Sequence, residues 1–121
     1  MKKGKLIKSF GYAFSGLMYA AKNERNVQIH FCAAIVVLVC GLYFRITNVE
    51  WLILLLTIGG VISLEMMNTA VEKAVDLATE DFHPLAKLAK DIAAGAVLVL
   101  SIVAVIIGGI IFAPHFMQTI H

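Results

Sequence analysis

The apolar and polar positions fall into four blocks. In residues 5–25, Leu6, Phe10, Phe14, Leu17 and Ala21 recur at spacings of three and four and line one helical face. Lys5, Lys8, Ser9, Tyr12, Ser15 and Lys22 fall largely on the other faces. The pattern predicts an amphipathic helix lying on a membrane surface with its lysines toward the head groups, although a plain packing helix would show the same periodicity. Next, Asn26 to Phe44 runs for 19 residues without Asp, Glu, Lys or Arg. At about 1.5 Å per residue this is long enough to span the hydrocarbon core, so a first span is expected over about 26–44. A short polar connector, Arg45 to Glu50, follows, and Trp51 stands where an interfacial anchor belongs.

The third block is less regular. Trp51 to Leu64 is uncharged but only 14 residues long, which alone is marginal for a span. Beyond Glu65 the helix-forming residues continue to about Ala78 without Gly or Pro. One long helix over about 50–78 is expected, crossing the membrane over about 50–70 and emerging as an amphipathic stalk. Thr79 to Leu85, with Pro84, reads as a loop. A final helix should begin near Leu85 and end at Ala113-Pro114. Its stretch from Ala93 to Phe112 carries no charge for 20 residues and predicts a third span, about 92–112.

Composition strengthens the membrane assignment. Of 121 residues, 60% are hydrophobic and 15% charged. A soluble domain this small has too much surface to hide so many apolar residues. The expected fold is all-α and integral to the membrane, a single domain over 1–121. The net charge of +2 is too small to suggest a nucleic-acid partner. Cys32 and Cys40 lie in an apolar run and read as small core residues. The basic residues supply an orientation. Lys2, Lys3, Lys5, Lys8, Lys22 and Arg25 precede the first span, and Lys73, Lys87 and Lys90 flank the loop between the second and third. The N-terminus and the 73–90 region should therefore be cytosolic and the C-terminus outside.

On that orientation seven acidic residues collect toward the cytosol: Glu24, Glu65, Glu72, Asp76, Glu80, Asp81 and Asp91; Glu50 alone lies outside. Glu65, Asn68, Glu72 and Asp76 are spaced three, four and four apart and share one helical stripe. Such a stripe can be no more than a solvated stalk face. For Glu65 that alternative is weaker, because Leu64, Met66 and Met67 place it at the apolar border, where an ionisable group is costly. Carboxylates that can hold Mg²⁺, a lysine and a base for a hydroxyl are the parts that phosphoryl transfer requires. Glu65, partly withdrawn from water, suits the base better than a metal ligand. There is no Walker A loop, since Leu17 follows Gly11 and Gly16 where lysine is needed. His30, His83, His115 and His121 lack zinc-ligand spacing. Small residues at Gly59-Gly60, Ala93 to Ala96 and Gly108-Gly109 would let spans approach closely, and self-association could complete a polar site.

The segment Glu65-Met66-Met67-Asn68-Thr69-Ala70-Val71-Glu72, then Val75-Asp76 and Ala89-Lys90-Asp91, resembles the core of the prokaryotic diacylglycerol kinase family. Asn23-Glu24 and Gly11-Tyr12-Ala13 fit as well, and the resemblance covers nearly the whole chain. It implies a small membrane kinase, a homotrimer with sites shared between subunits, that transfers the γ-phosphate of MgATP to a lipid alcohol at the cytosolic face of the bacterial cell membrane. Matched position by position, Glu65 is the catalytic base and Glu24 and Glu72 are the metal-ligating carboxylates, which also contact ATP. Lys90 and Asp91 contact the nucleotide, with Lys90 on phosphate. Asp81, Phe82 and His83 form the loop near adenosine, and Tyr12 is a nucleotide-side residue. Asn68 and Asp76 support the site. Lys5 stands where Gram-negative relatives carry arginine. His30, a further candidate on the lipid side with Glu65, stands where they carry an acidic residue, and Arg25 to His30 resembles the Gram-positive branch, which favours undecaprenol. Two other classes remain at this point: a small proton-coupled transporter working through Glu65, and a membrane scaffold without activity. Diacylglycerol is the alternative lipid.

Overall fold

The computed structural model describes residues 2–120; Met1 and His121 lie outside them. It contains four helices in sequence: α1 (Lys2–Asn23), α2 (Arg25–Phe44), α3 (Asn48–Ala78) and α4 (Pro84–Ile120). The last three are long and apolar enough to cross a membrane, in agreement with the three expected spans. The α3–α4 pairing is the most extensive, and α2 packs on α3.

Each junction has a local cause. Between α1 and α2 only Glu24 leaves the helical path, with φ −105° and ψ 112°. The Gln28 side-chain amide donates to the carbonyls of Ala21 and Lys22 at 3.1 and 3.0 Å, satisfying acceptors that the end of α1 leaves free. Between α2 and α3, Arg45 takes a left-handed conformation with φ 52°. Thr47 and Glu50 then form a capping box: the Glu50 N–H donates to Thr47 Oγ1 at 3.2 Å, and the Thr47 N–H donates to Glu50 Oε1 at 2.9 Å. Gly41 permits the tight return, since a Cβ there would lie 2.7 Å from Trp51 Cη2. Trp51, expected as an interfacial anchor, folds over Gly41.

Two expected boundaries move. Pro84 opens α4 instead of lying in the loop, because the first helical position needs no N–H and proline already has the right φ. Pro114 does not end α4, which continues to Ile120. Contacts on both sides of it hold the continuation: the Phe112 ring is 6.1 Å from that of Phe44, and His115 Nε2 is 3.2 Å from Glu50 Oε1. Neighbouring helices can support a proline inside an apolar helix in this way.

The apolar core gathers where α2, α3 and α4 meet, around Ile46, Leu54 and Ile111. The buried positions of α3 are Leu54, Val61, Glu65 and Asn68, at intervals of seven, four and three. One helical stripe therefore begins as apolar core and ends as two buried polar residues.

Candidate active site

Glu65 is 4% exposed and Asn68 7%, which excludes the solvated-face alternative for both. A buried carboxylate needs a partner. The buried stripe of α2 supplies it: Val27 and Ala34 are buried, and His30 falls three residues after one and four before the other. That register points His30 at α3, and its Nε2 lies 3.3 Å from Glu65 Oε2. Beside this pair opens a groove of about 120 Å³ between α2, α3 and α4. Its walls are almost wholly apolar, with Ala33, Ala34, Ala104 and Gly108 leaving the space and His30 among the few polar groups.

One turn further along α3, Asn68 Nδ2 donates to Glu72 Oε1 at 3.1 Å. Asn68 Oδ1 is buried without a partner. Lys73, the residue after Glu72, places its Nζ 3.6 Å from Glu24 Oε1 and 5.0 Å from the centre of the Tyr19 ring. Contact with the Tyr19 hydroxyl, and then with the Glu24 carboxylate, holds the Lys73 ammonium above the ordinary lysine range.

A second, more polar cleft of about 310 Å³ lies at the end of the stalk. Asp76, Asp81, Phe82, His83 and Lys90 all line it, which brings together five of the residues picked out from the sequence. Asp76 Oδ1 holds Lys90 Nζ at 2.5 Å. The loop is fixed by Thr79 Oγ1, which accepts from the Asp81 N–H at 3.2 Å. His83 Nδ1 accepts the Leu85 N–H at 3.1 Å and so caps the start of α4.

The other candidates lie elsewhere. Asp91 pairs with Lys87 at 2.6 Å rather than with Lys90, and this contact is exposed. Tyr12 is exposed on α1 and takes part in none of these contacts. Sequence reasoning missed Lys73 and Tyr19 as partners around Glu24. No local signal marks them, because Glu24 and Lys73 are 49 residues apart and meet only through the packing of different helices.

Among the described residues no three His, Cys, Asp or Glu side chains converge to hold a metal alone. The donor chemistry nonetheless fits magnesium. Mg²⁺ is ordinarily held by one or two carboxylates together with substrate phosphates. Glu72 offers a carboxylate, and the unpartnered Asn68 Oδ1 is a hard oxygen next to it.

A bundle of apolar helices carrying a buried carboxylate beside an intramembrane groove, with a lysine-lined polar cleft further along the same helix, is the framework of a membrane enzyme acting on a lipid. The profile of the prokaryotic diacylglycerol kinase family matches residues 11–112. The undecaprenol kinase of Bacillus subtilis (strain 168) is 50% identical over 110 residues, covering 91% of this chain and 89% of that relative. A diacylglycerol kinase of Synechocystis is 42% identical over 93% of this chain, which spans 65% of that relative's length. The Escherichia coli (strain K12) diacylglycerol kinase is 31% identical, covering 93% of this chain and 92% of its own. The chain belongs to the prokaryotic diacylglycerol kinase family and is a membrane lipid kinase, which sets aside the transporter and the inactive scaffold.

Proposed function

We propose that the protein transfers the γ-phosphate of MgATP to the hydroxyl of undecaprenol, in preference to diacylglycerol, at the cytosolic face of the bacterial cell membrane. The observation that carries this is a buried carboxylate, Glu65, in contact with His30, which lines an apolar groove. The 50% identity to the Bacillus subtilis undecaprenol kinase supports the choice of lipid.

Glu65 takes the proton as the lipid oxygen attacks the γ-phosphorus. The new O–P bond forms, the bond between the γ-phosphorus and the β-bridging oxygen breaks, and ADP leaves with that electron pair. Glu65 lies about 10 Å deeper along α3 than Glu72, from seven residues at about 1.5 Å each. The lipid hydroxyl thus meets Glu65 within the membrane, while the nucleotide meets Glu72 and Lys90 in water. Glu24 and Glu72, with Asn68 Oδ1 at hand, would hold a magnesium ion, which neutralises charge on the phosphates. Lys90 offers a cation to phosphate, steadied by Asp76, and Asp81, Phe82 and His83 border the nucleotide. The family resemblance alone adds Asp91 and Tyr12 to the nucleotide side, since neither lines the cleft within one chain.

Glu65 and Asp76, the residue that holds Lys90, are separated by about 16 Å along α3, from eleven residues at about 1.5 Å. A homotrimer with sites shared between subunits would complete the polar site with side chains from a neighbouring chain. The function is tested with full-length protein in nanodiscs containing undecaprenol and ATP labelled at the γ-phosphate. Label should move to the lipid; label found only in free phosphate contradicts the proposal.

A further inference from the structure

The His30–Glu65 contact gives the histidine a part in the reaction that its place in an apolar helix would not suggest. Glu65 is buried, and among the described residues no lysine or arginine lies within ion-pair distance of its carboxylate. The His30 ring is there instead, 3.3 Å from Oε2. An ionised carboxylate only accepts hydrogen bonds, so the imidazole form that serves it carries its proton on Nε2. The ring's own position is fixed by the backbone. His30 shares the buried stripe of α2 with Val27 and Ala34, and its side chain is only 26% exposed. It also lines the apolar groove, so one side chain touches both the groove and the carboxylate.

We propose that His30 is the positioning residue of the base: it holds Oε2 of Glu65 and so leaves Oε1 for the hydroxyl of the lipid. This rests on Glu65 acting as the base. Without His30 the carboxylate can rotate about its last torsion, and neither oxygen is held for attack. A misplacement of about 1 Å costs roughly 100-fold in rate when reacting groups must be aligned. The loss falls on turnover, because the nucleotide cleft lies on another part of α3 and α4.

The test uses the full-length protein in nanodiscs with undecaprenol and MgATP, comparing wild type, His30→Leu and His30→Gln. Leucine keeps the bulk and removes the donor, whereas the glutamine amide nitrogen reaches nearly the place of Nε2. His30→Leu should lower kcat by about 10- to 100-fold with the KM for ATP within about twofold. His30→Gln should recover to within about fivefold of wild type, since it restores the donor. A wild-type kcat in His30→Leu overturns the proposal. So does a loss confined to the KM for undecaprenol, or a His30→Gln variant as slow as His30→Leu. Loss of ATP affinity in both variants also overturns it, because His30 would then be structural. If the wild type itself labels no lipid, the lipid-alcohol reading has failed instead, which is a different result from an active wild type indifferent to His30.

Discussion

Replacing Glu65 by glutamine removes basicity and little else. The side chain keeps its length and stays in the same buried position beside His30 Nε2. No cavity forms, so the fold should survive. A positioned general base contributes about 10²- to 10⁴-fold, or about 2.7–5.4 kcal/mol at 1.36 kcal/mol per decade. Glu65→Gln should therefore lower kcat with undecaprenol by that factor. The cleft that holds Lys90 is about 16 Å away along α3, so the KM for ATP should stay within about twofold. Initial rates of label transfer in nanodiscs measure the first quantity, and ATP titration the second. A kcat within threefold of wild type would refute Glu65 as the base. A collapse of ATP affinity would show that the residue holds the fold instead.

Three further outcomes are expected. Asp76→Asn releases Lys90 from its 2.5 Å partner; the pair is exposed and worth at most about 1 kcal/mol, so the KM for ATP should rise by up to about fivefold with kcat little changed. A lower KM would mean that Asp76 only competes with phosphate for the ammonium. Gly41→Ala places a Cβ 2.7 Å from the Trp51 ring and 3.2 Å from Ile46 Cδ1, and should cost about 1–3 kcal/mol of stability in detergent. Gly59→Ala, where a Cβ meets nothing within 4 Å, should instead gain up to about 1 kcal/mol from helix propensity; equal unfolding shifts for the two would contradict the packing at the α2–α3 turn. Co-reconstituted Glu65→Gln and Lys90→Ala chains should regain activity that neither has alone if sites are shared between subunits, and no recovery would argue for a site within one chain.

The helices were legible because membrane spans advertise themselves: the uncharged runs at Asn26–Phe44 and Ala93–Phe112 admit few other conformations. The interval pattern of Glu65, Asn68 and Glu72 placed them on one face, and two of the three are buried there. The partners of these residues were not legible. His30 meets Glu65 across 35 residues, and Lys73 meets Glu24 across 49, through packing that helical periodicity does not encode. The same limit explains α4. Proline lacks an N–H and ordinarily breaks a helix, but the grip of His115 on Glu50 carries the chain past Pro114. Asp91 shows how adjacency misleads: residues 90 and 91 point about 100° apart on a helix, so Lys90 turns to Asp76 and Asp91 to Lys87.

The most direct test of the account is the competition of undecaprenol and diacylglycerol for the same ATP in one nanodisc preparation. The ratio of the two kcat/KM values is read from the two labelled lipid phosphates. The account predicts a ratio in favour of undecaprenol, with transfer to both lipids falling together in Glu65→Gln. A ratio in favour of diacylglycerol, or transfer that survives without the Glu65 carboxylate, would contradict it.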